Sequence, residues 1–509
     1  MKTGKVFLIG AGPGDPKLIT IKGMEAIKKA DLIVYDYLAS KSLLSYGKDG
    51  AEIIYVGKMG GRHTLSQEKI NELIVKKAKE GKIIARLKGG DPFIFGRGGE
   101  EAEELATAGI PFEIIPGVTA AIACPAYAGI PLTHRDYTST VAFITGHEDP
   151  AKEDSSIAWE KISTGIGTLV FFMGMSNLPE IVKNLIRFGR DPMTPVALIR
   201  WGTRPDQKTV IGTLNDIIDK SNKHALAPPV IIVVGEVVNL RKKLNWFEEK
   251  PLFGRKIIVT RAREQASDFA ELLYLNGAEP IEFPTIQVIP PDSWDELDKA
   301  IDEIRGFEWI IFTSVNGVRY FFERLNRKGD LRLLHGIKIC AIGPQTATEI
   351  QGHGLIADLI PKEYRAEAII EEMGREGIAG KSMLLPRAEI AREILPQELS
   401  RMGARVKVVT AYKTIKPVED LEMVRGLLKN KEISAITFTS SSTVRNFLEM
   451  FNKEEVRELI DGTAVACIGP ITAKTAEDLG IRTDIMPSKY TMPNLTEAIV
   501  KYFSKGGCK

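Results

Sequence analysis

Five glycines fall within the fifteen residues 87–101, LKGGDPFIFGRGGEE, two of them adjacent at Gly89 and Gly90. Bare main chain at that density permits close approach to a ligand. Asp91-Pro92 closes the glycine pair, and Phe93-Ile94-Phe95 supplies an apolar floor. A surface turn on glycine hinges would share this composition. The run KIIARL just upstream favours a ligand loop, because open α/β sheets bind ligands after buried strands. No Gly-Lys-Ser/Thr follows, so the loop is not a phosphate cradle. A second glycine run, GAGPGD at 10–15, follows the apolar stretch 5–9. It approaches the dinucleotide pattern G-x-G-x-x-G, but Asp15 holds the third glycine's place. A carboxylate there would face the pyrophosphate, and Pro13 removes a backbone donor. Both features argue against NAD and for an uncharged or zwitterionic ligand.

Two charged residues, Asp36 and Lys58, follow the apolar runs 31–35 and 52–56, at strand ends where α/β sheets present chemistry. A solvated loop charge is the competing explanation for each. Thr119, in PGVTA after the strand 110–115, can offer a hydroxyl to a polar ligand edge. Met173 stands at the end of TLVFFM, where core packing is the commoner role for methionine. His134 and His147 have no His, Cys or Glu companion at ligand spacing, so no metal is expected.

The elements that must position these residues alternate. Strands are expected at 5–9, 31–35, 52–56, 82–87 and 110–115, with helices at 16–29, 66–79, 100–108 and 120–128 between or after them. Asp15-Pro16 is the expected N-cap and first-turn proline of the helix 16–29. The texture changes near residue 137. Strands follow at 137–145, 168–173, 194–200 and 229–234, so 1–136 and 137–245 are expected as two lobes with a cleft. The charged stretch 239–253, NLRKKLNWFEEKPLF, contains the expected linker 246–253.

Composition describes ordinary globular material: 509 residues, 44% hydrophobic, 26% charged, net charge +2. Such a length suggests about 3–4 domains. Near-neutral charge favours neither nucleic acid nor a membrane surface, and no apolar run is long enough to span a bilayer. The glycine-broken start, MKTGKVFLIGAGPGD, does not read as a signal peptide. Cys124, Cys340, Cys467 and Cys508 form no CxxC pair, which fits core thiols in a reducing cytoplasm.

From residue 254 onward the chain repeats itself. IFTS at 311–314 recurs as TFTS at 437–440, AIGP at 341–344 as CIGP at 467–470, and KEY at 362–364 as SKY at 488–490. The separation is 126 residues in each case (314 to 440, 344 to 470, 364 to 490), and Arg261-Ala262 matches Arg387-Ala388 at the same shift. A duplication implies two pseudo-symmetric α/β lobes, each with a parallel sheet. PTIQVIPP at 284–291 and VVTAYKTIKP at 408–417 occupy equivalent places and are expected side by side as a hinge. The lobes would be 291–408 and, discontinuously, 254–284 with 416–509. A ligand in the cleft would meet Arg261, Thr313, Ser314, Gly343 and Thr346, with Ser440, Gly469 and Thr472 from the other copy. Short hydroxyls and open backbone donors suit anionic groups. Tight strand-to-helix turns with Ser/Thr capping would explain the same residue types.

VFLIGAGPGDPKLITIKG, LKGGDPFIFGRGGEE, PGVTAA, PLTHRD and FMG at 172–174 together resemble uroporphyrinogen-III C-methyltransferases of the tetrapyrrole methylase family, over residues 1–245. Residues 254–509 resemble uroporphyrinogen-III synthases through VTRA, FTS, IGP and AYKT. The resemblance implies a two-lobe methylase fold followed by a two-lobe synthase. It further implies closure of hydroxymethylbilane to uroporphyrinogen III, then transfer of two methyl groups from S-adenosyl-L-methionine, giving precorrin-2 on the sirohaem and cobalamin branch. Pro13, Gly89, Gly90, Asp91, Ile94, Thr119, Ala120, Met173 and Gly202 match the family's S-adenosylmethionine site. Asp36 and Lys58 match its proton acceptor and donor, although Lys58 could equally pair with substrate carboxylates. Arg97 and Arg135 are either carboxylate anchors or structural ion pairs. Tyr412 matches a tyrosine that assists hydroxyl departure, or packs as a hinge residue. The resemblance also implies a homodimer through residues 1–245. Other readings of the residues are an NAD-linked oxidoreductase fused to a sensor, a methylase of RNA or later corrinoids, and a two-lobe ligand-binding module as the second half.

Overall fold

The computed structural model describes residues 3–57, 65–146, 157–261, 263–363, 365–415, 421–451 and 453–506. The chain divides into two units, chiefly Met1–Lys256 and, with Ile257–Glu271, Pro280–Tyr502. Lys58, His147, Ala262, Tyr364 and Cys508 lie outside the described residues.

In the first unit, β1 (Lys5–Gly10), β2 (Leu32–Tyr35), β3 (Glu52–Tyr55), β4 (Ile83–Lys88) and β5 (Phe112–Ile115) form a parallel sheet in the order β3-β2-β4-β1-β5. The strands are apolar because both faces are covered. Val6, Leu8, Val34 and Ile84 pack with the helices α2 (Gln67–Lys79) and α3 (Gly98–Thr107), while Ile9, Ile33 and Leu87 pack with α1 (Ile21–Lys29). The helix expected at 16–29 is interrupted. Asp15 caps only a single 3-10 turn, Pro16–Leu18, and Thr20 then caps α1 by accepting from Gly23 N at 3.1 Å. Two competing cap residues five apart explain the break.

The second sheet contains β6 (Val141–Thr145), β7 (Thr168–Phe172), β8 (Pro195–Arg200), β9 (Lys208–Thr213) and β10 (Val230–Val234), ordered β6-β7-β10-β8-β9. It is mixed: β6 and β7 are parallel, while β10 runs antiparallel to β7 and β8, and β9 antiparallel to β8. The sequence reading missed β9. Helix α4 (Ala120–Tyr127), assigned by sequence to the first lobe, packs Ala121 and Cys124 against Ala197, Ile199 and Val233 of this second sheet. The expected linker 246–253 is not a free tether. Phe247 and Leu252 are buried, and Tyr127, Trp246 and Phe247 form an aromatic cluster with centroids 4.8–5.5 Å apart. Large aromatics in that segment give it area to bury.

In the second unit, β11 (Lys256–Val259), β12 (Glu279–Glu282), β18 (Ile433–Phe438) and β19 (Ala464–Cys467) form a four-stranded sheet. A five-stranded sheet orders β13 (Gln287–Ile289), β17 (Arg405–Ile415), β16 (Ser382–Ala388), β14 (Trp309–Phe312) and β15 (Lys338–Ala341). The expected side-by-side segments do pair, Gln287 with Ile415 and Ile289 with Lys413, but antiparallel and within this one sheet. Each thereby satisfies the other's backbone groups, and the lobe extends beyond 291–408 at both ends. Cys124, Cys340 and Cys467 are free and buried, and burial pushes the Cys124 thiol up to about 12. Among the described residues, no helix is long and apolar enough to cross a membrane.

Candidate functional site

Three glycine loops meet at the carboxyl ends of β1, β4 and β5. Gly90 N donates to Gly12 O at 2.7 Å, and Gly12 N returns a bond to Gly90 O at 3.2 Å. Asp91 ties in the third loop: its Oδ2 accepts from Gly117 N at 3.0 Å, its Oδ1 from Phe93 N at 2.8 Å. A Cβ on Gly10 would lie 2.4 Å from Gly117 N, and one on Gly117 would lie 2.4 Å from Gly90 O. Neither neighbour is a side chain that could swing away, so these positions accept glycine alone. Pro13, Ile94 and Ala120 are half-buried around the junction, and Phe93 remains exposed. Thr119 is buried at the start of α4, yet makes no capping bond to the helix.

The second sheet sends two strand ends to the same region. Met173, half-exposed after β7, has φ 54°; after β8, Trp201 has φ 50° and Thr203 φ 71°. Phe95 and Arg97, on the loop after β4, have φ 53° and 57°. Left-handed backbone at non-glycine residues is costly and concentrates at functional sites. Asp15 fastens the two sheets' loops. Its N–H donates to Thr203 Oγ1 at 2.9 Å, and its Oδ2 accepts from Tyr127 OH at 2.8 Å. Gly202 sits so close to α4 that a Cβ would approach Cys124 Sγ to 2.4 Å. Trp201 takes Tyr37 on its edge at 5.6 Å and the Arg204 guanidinium over its ring at 4.4 Å.

Asp36 stands just past β2, half-buried beside Tyr37. Its Oδ1 accepts from Leu38 N at 3.2 Å, and its Oδ2 faces Arg86 Nη2 at 3.5 Å. Arg86, Lys88 and Glu101 behind it are buried. Glu101 Oε1 accepts from Lys88 Nζ at 2.6 Å, Gln67 Nε2 at 3.0 Å and Arg86 Nε at 3.4 Å. Burial, followed by the Arg86 charge, lowers the Lys88 pKa against the opposing pull of Glu101. Arg97 forms an exposed two-point pair with Glu100 at 2.9 and 2.6 Å, and Arg135 is exposed. Among the described residues no cluster of acidic, His or Cys side chains could hold a metal ion.

In the second unit the repeated motifs form matching turns. Ser314 Oγ accepts from Gly317 N at 3.0 Å at the head of helix Val315–Lys328, and Ser440 Oγ from Thr443 N at 3.2 Å at the head of Ser441–Met450. Gly343 and Gly469 lead into Pro344–Gly352 and Pro470–Asp478 with almost identical extended backbone. Thr346 and Thr472 are both buried at 4% exposure, so their hydroxyls turn away from solvent. Thr313 and Arg261 are half-buried, and burial lowers the Arg261 pKa. Tyr412 on β17 is buried, shares a hydrogen bond with Ser314 Oγ at 3.0 Å, and stacks on Tyr320 at 6.1 Å. Burial raises its pKa, partly opposed by the Ser314 bond.

Residues 5–218 match the family model of tetrapyrrole (corrin/porphyrin) methylases, and residues 267–497 that of uroporphyrinogen-III synthase HemD. The porphyrin biosynthesis protein HemD of Ruminiclostridium josui is 40% identical over 98% of both chains. The chain belongs to both families. It is a bifunctional enzyme of tetrapyrrole biosynthesis, a methylase followed by a synthase. A uroporphyrinogen-III C-methyltransferase of Bacillus subtilis is 42% identical over 73% of this chain and 76% of its own. That of Priestia megaterium is 56% identical over 46% of this chain and 99% of its own.

The methylase half contains functional candidates that sequence reasoning passed over. Arg86 and Lys88 stand two apart on β4, a central strand, and so share one buried face with Ile84. Two cations on a strand covered on both faces require an acidic partner, and that demand was legible in ARLK. Glu101 was visible only as half of an acidic helix start.

Proposed function

We propose that the synthase half closes hydroxymethylbilane to uroporphyrinogen III and that the methylase half then transfers two methyl groups to it from S-adenosyl-L-methionine, giving precorrin-2. The junction of the Gly10–Asp15, Gly89–Asp91 and Gly117–Thr119 loops carries this reading. Its residues fit a sulfonium-bearing zwitterion: the main chain is bare where Cβ atoms would collide, Ile94, Phe93 and Met173 offer apolar surface, and the Thr119 hydroxyl makes no capping bond. Pro13, Gly89, Gly90, Asp91, Ile94, Thr119, Ala120, Met173 and Gly202 would hold it, with Asp91 acting through the two loops it ties. When bound, the ligand supplies an electrophilic methyl group. The chain's part is positioning the pyrrole carbon in line with that methyl, which can account for most of the rate. Asp36 would accept the proton the ring releases as the new carbon–carbon bond forms. Lys58, Arg97 and Arg135 would meet substrate carboxylates.

In the synthase half, Tyr412 would donate its phenolic proton to the departing bilane hydroxyl. Its burial supports a phenol that stays protonated until that step. Arg261, Thr313, Ser314, Gly343, Ser440 and Gly469 would hold substrate carboxylates at the strand ends, with Thr346 and Thr472 supporting the turns from inside. The same reading makes the enzyme a cytoplasmic homodimer assembled through residues 1–245, checked by a light-scattering mass of twice the chain.

The test is one incubation with hydroxymethylbilane, with and without S-adenosylmethionine. The expected product without it is the type III isomer after oxidation. With it, two methyl groups are expected per macrocycle. Only the spontaneous type I isomer would remove the synthase assignment, and no methyl incorporation the other.

A further inference from the structure

A cluster of charges lies behind Asp36, deeper than a solvent-facing ion pair requires. Arg86, Lys88 and Glu101 are 2%, 4% and 2% exposed, on a central strand and the first turn of α3. Burying charges is expensive, and an apolar trio of similar volume would often serve stability equally well. The bonding is directional. Glu101 Oε1 holds Lys88 and Arg86 Nε, and Arg86 Nη1 donates to Leu87 O at 3.0 Å. Those contacts fix the guanidinium plane and leave Nη2 aimed at Asp36 Oδ2, 3.5 Å away. Among the described residues the buried trio carries one net positive charge, and Asp36 is the acidic group at its edge. Glu101 Oε2 is buried without a hydrogen-bond partner in the same set, as a pivot loaded on one oxygen would be.

We infer that Lys88 and Glu101 are positioning residues for methyl transfer, which lock Arg86 so that it orients the Asp36 carboxylate toward the substrate. They touch neither substrate nor methyl donor and act through Arg86. The inference rests on the reading of Asp36 as proton acceptor.

The experiment is a double-mutant cycle on the full chain. Lys88→Met, Asp36→Asn and the pair are compared for methyl-transfer kcat, using methyl-labelled S-adenosylmethionine, and for S-adenosylhomocysteine affinity by calorimetry. The synthase rate of each sample normalises the amount of chain, and S-adenosylhomocysteine binding reports the folded methylase half. Lys88→Met should lower kcat about 10- to 100-fold, as expected for a misaimed catalytic group, with S-adenosylhomocysteine affinity within about twofold. The pair should be no slower than Asp36→Asn alone, the mark of coupled residues. Where Lys88→Met does not fold, Glu101→Gln keeps the shape and one acceptor oxygen and takes its place in the cycle. Lys88→Arg, which retains the charge, should recover part of the rate. A wild-type kcat in Lys88→Met or its Glu101→Gln substitute, or losses that multiply with that of Asp36→Asn, would overturn the inference while leaving Asp36 as base. A wild-type kcat in Asp36→Asn would instead remove the base assignment, and this inference with it.

Discussion

In the methylase half, Phe95, Arg97, Met173, Trp201 and Thr203 hold left-handed backbone at the carboxyl ends of strands, each at a cost of about 1–3 kcal/mol. In the synthase half, the one such non-glycine residue among those described is Lys431, in a turn at the amino end of β18. Its carboxyl-end turns are relaxed: Ser314 and Ser440 are ordinary helix caps, and Gly343 and Gly469 are extended. Both halves set candidate chemistry at the same ends of parallel strands, from different materials. A methyl group moving in line onto carbon needs a frame fixed in advance, which strain and buried charge supply. A bilane that must be folded before closure needs hydrogen-bonding turns on lobes that can adapt.

The contrast also runs inside the synthase half. Asp358 accepts from Ile339 N at 2.7 Å, as Asp484 does from Val465 N at 3.0 Å, and Ala341 and Cys467 bond Leu359 and Ile485 alike at 2.9 Å. The duplication therefore extends through the scaffold. Tyr412 and Tyr320 have no aromatic counterparts 126 residues away, where Ile286 and Asn446 stand. Symmetry supplies the frame, and one phenol breaks it.

Crowding in the methylase frame offers the largest effect. Gly117→Ala would set a carbon 2.4 Å from Gly90 O and 2.6 Å from Gly10 Cα. S-adenosylhomocysteine affinity should fall about 100-fold or more by calorimetry, with ring closure unchanged in the same sample. Wild-type affinity would mean the frame is looser than the contrast demands. Asp36→Ala should slow methyl transfer by about 10²–10³-fold, again without touching ring closure; a full count of two methyls at the normal rate would free Asp36 from the role.

Smaller effects separate the two copies. Tyr412→Phe keeps the stack on Tyr320 and loses one hydrogen bond, about 1 kcal/mol, so Tm should drop by about 2–4 °C. Type III isomer formation should slow by about tenfold, well beyond what that stability change explains. Ser314→Ala and Ser440→Ala should each lose about 1 kcal/mol of capping in denaturant melts. Ring closure at saturating bilane should slow more in Ser314→Ala than in Ser440→Ala, because Ser314 bonds the phenol in addition to facing a substrate carboxylate. Equal slowing by both would erase the asymmetry.

Much of this architecture was legible in the chain. The apolar runs at 5–9, 31–35, 52–56, 82–87 and 110–115 became strands, because length and branching suffice for strands buried on both faces. The spacing of 126 residues exposed the duplication, and the structure carries it into turns and bridges. What escaped depended on contacts distant in sequence. Strand β9 is held by pairing with β8, and α4 packs on the second sheet although it follows the first. Thr203 carries Asp15 across 188 residues, a bond no local pattern announces. In the Arg86–Lys88–Glu101 cluster, ARLK demands a buried acidic partner but does not say which carboxylate supplies it; that is Glu101, thirteen residues on from Lys88.

The central claim is that main chain at the three glycine loops takes the methyl donor. A crystal structure with S-adenosylhomocysteine tests it most directly. The ligand should lie against Pro13, the Gly89–Asp91 turn and Thr119-Ala120, with its sulfur on the side of Asp36. Density for it at any other place on the chain, with these loops vacant, would contradict the account.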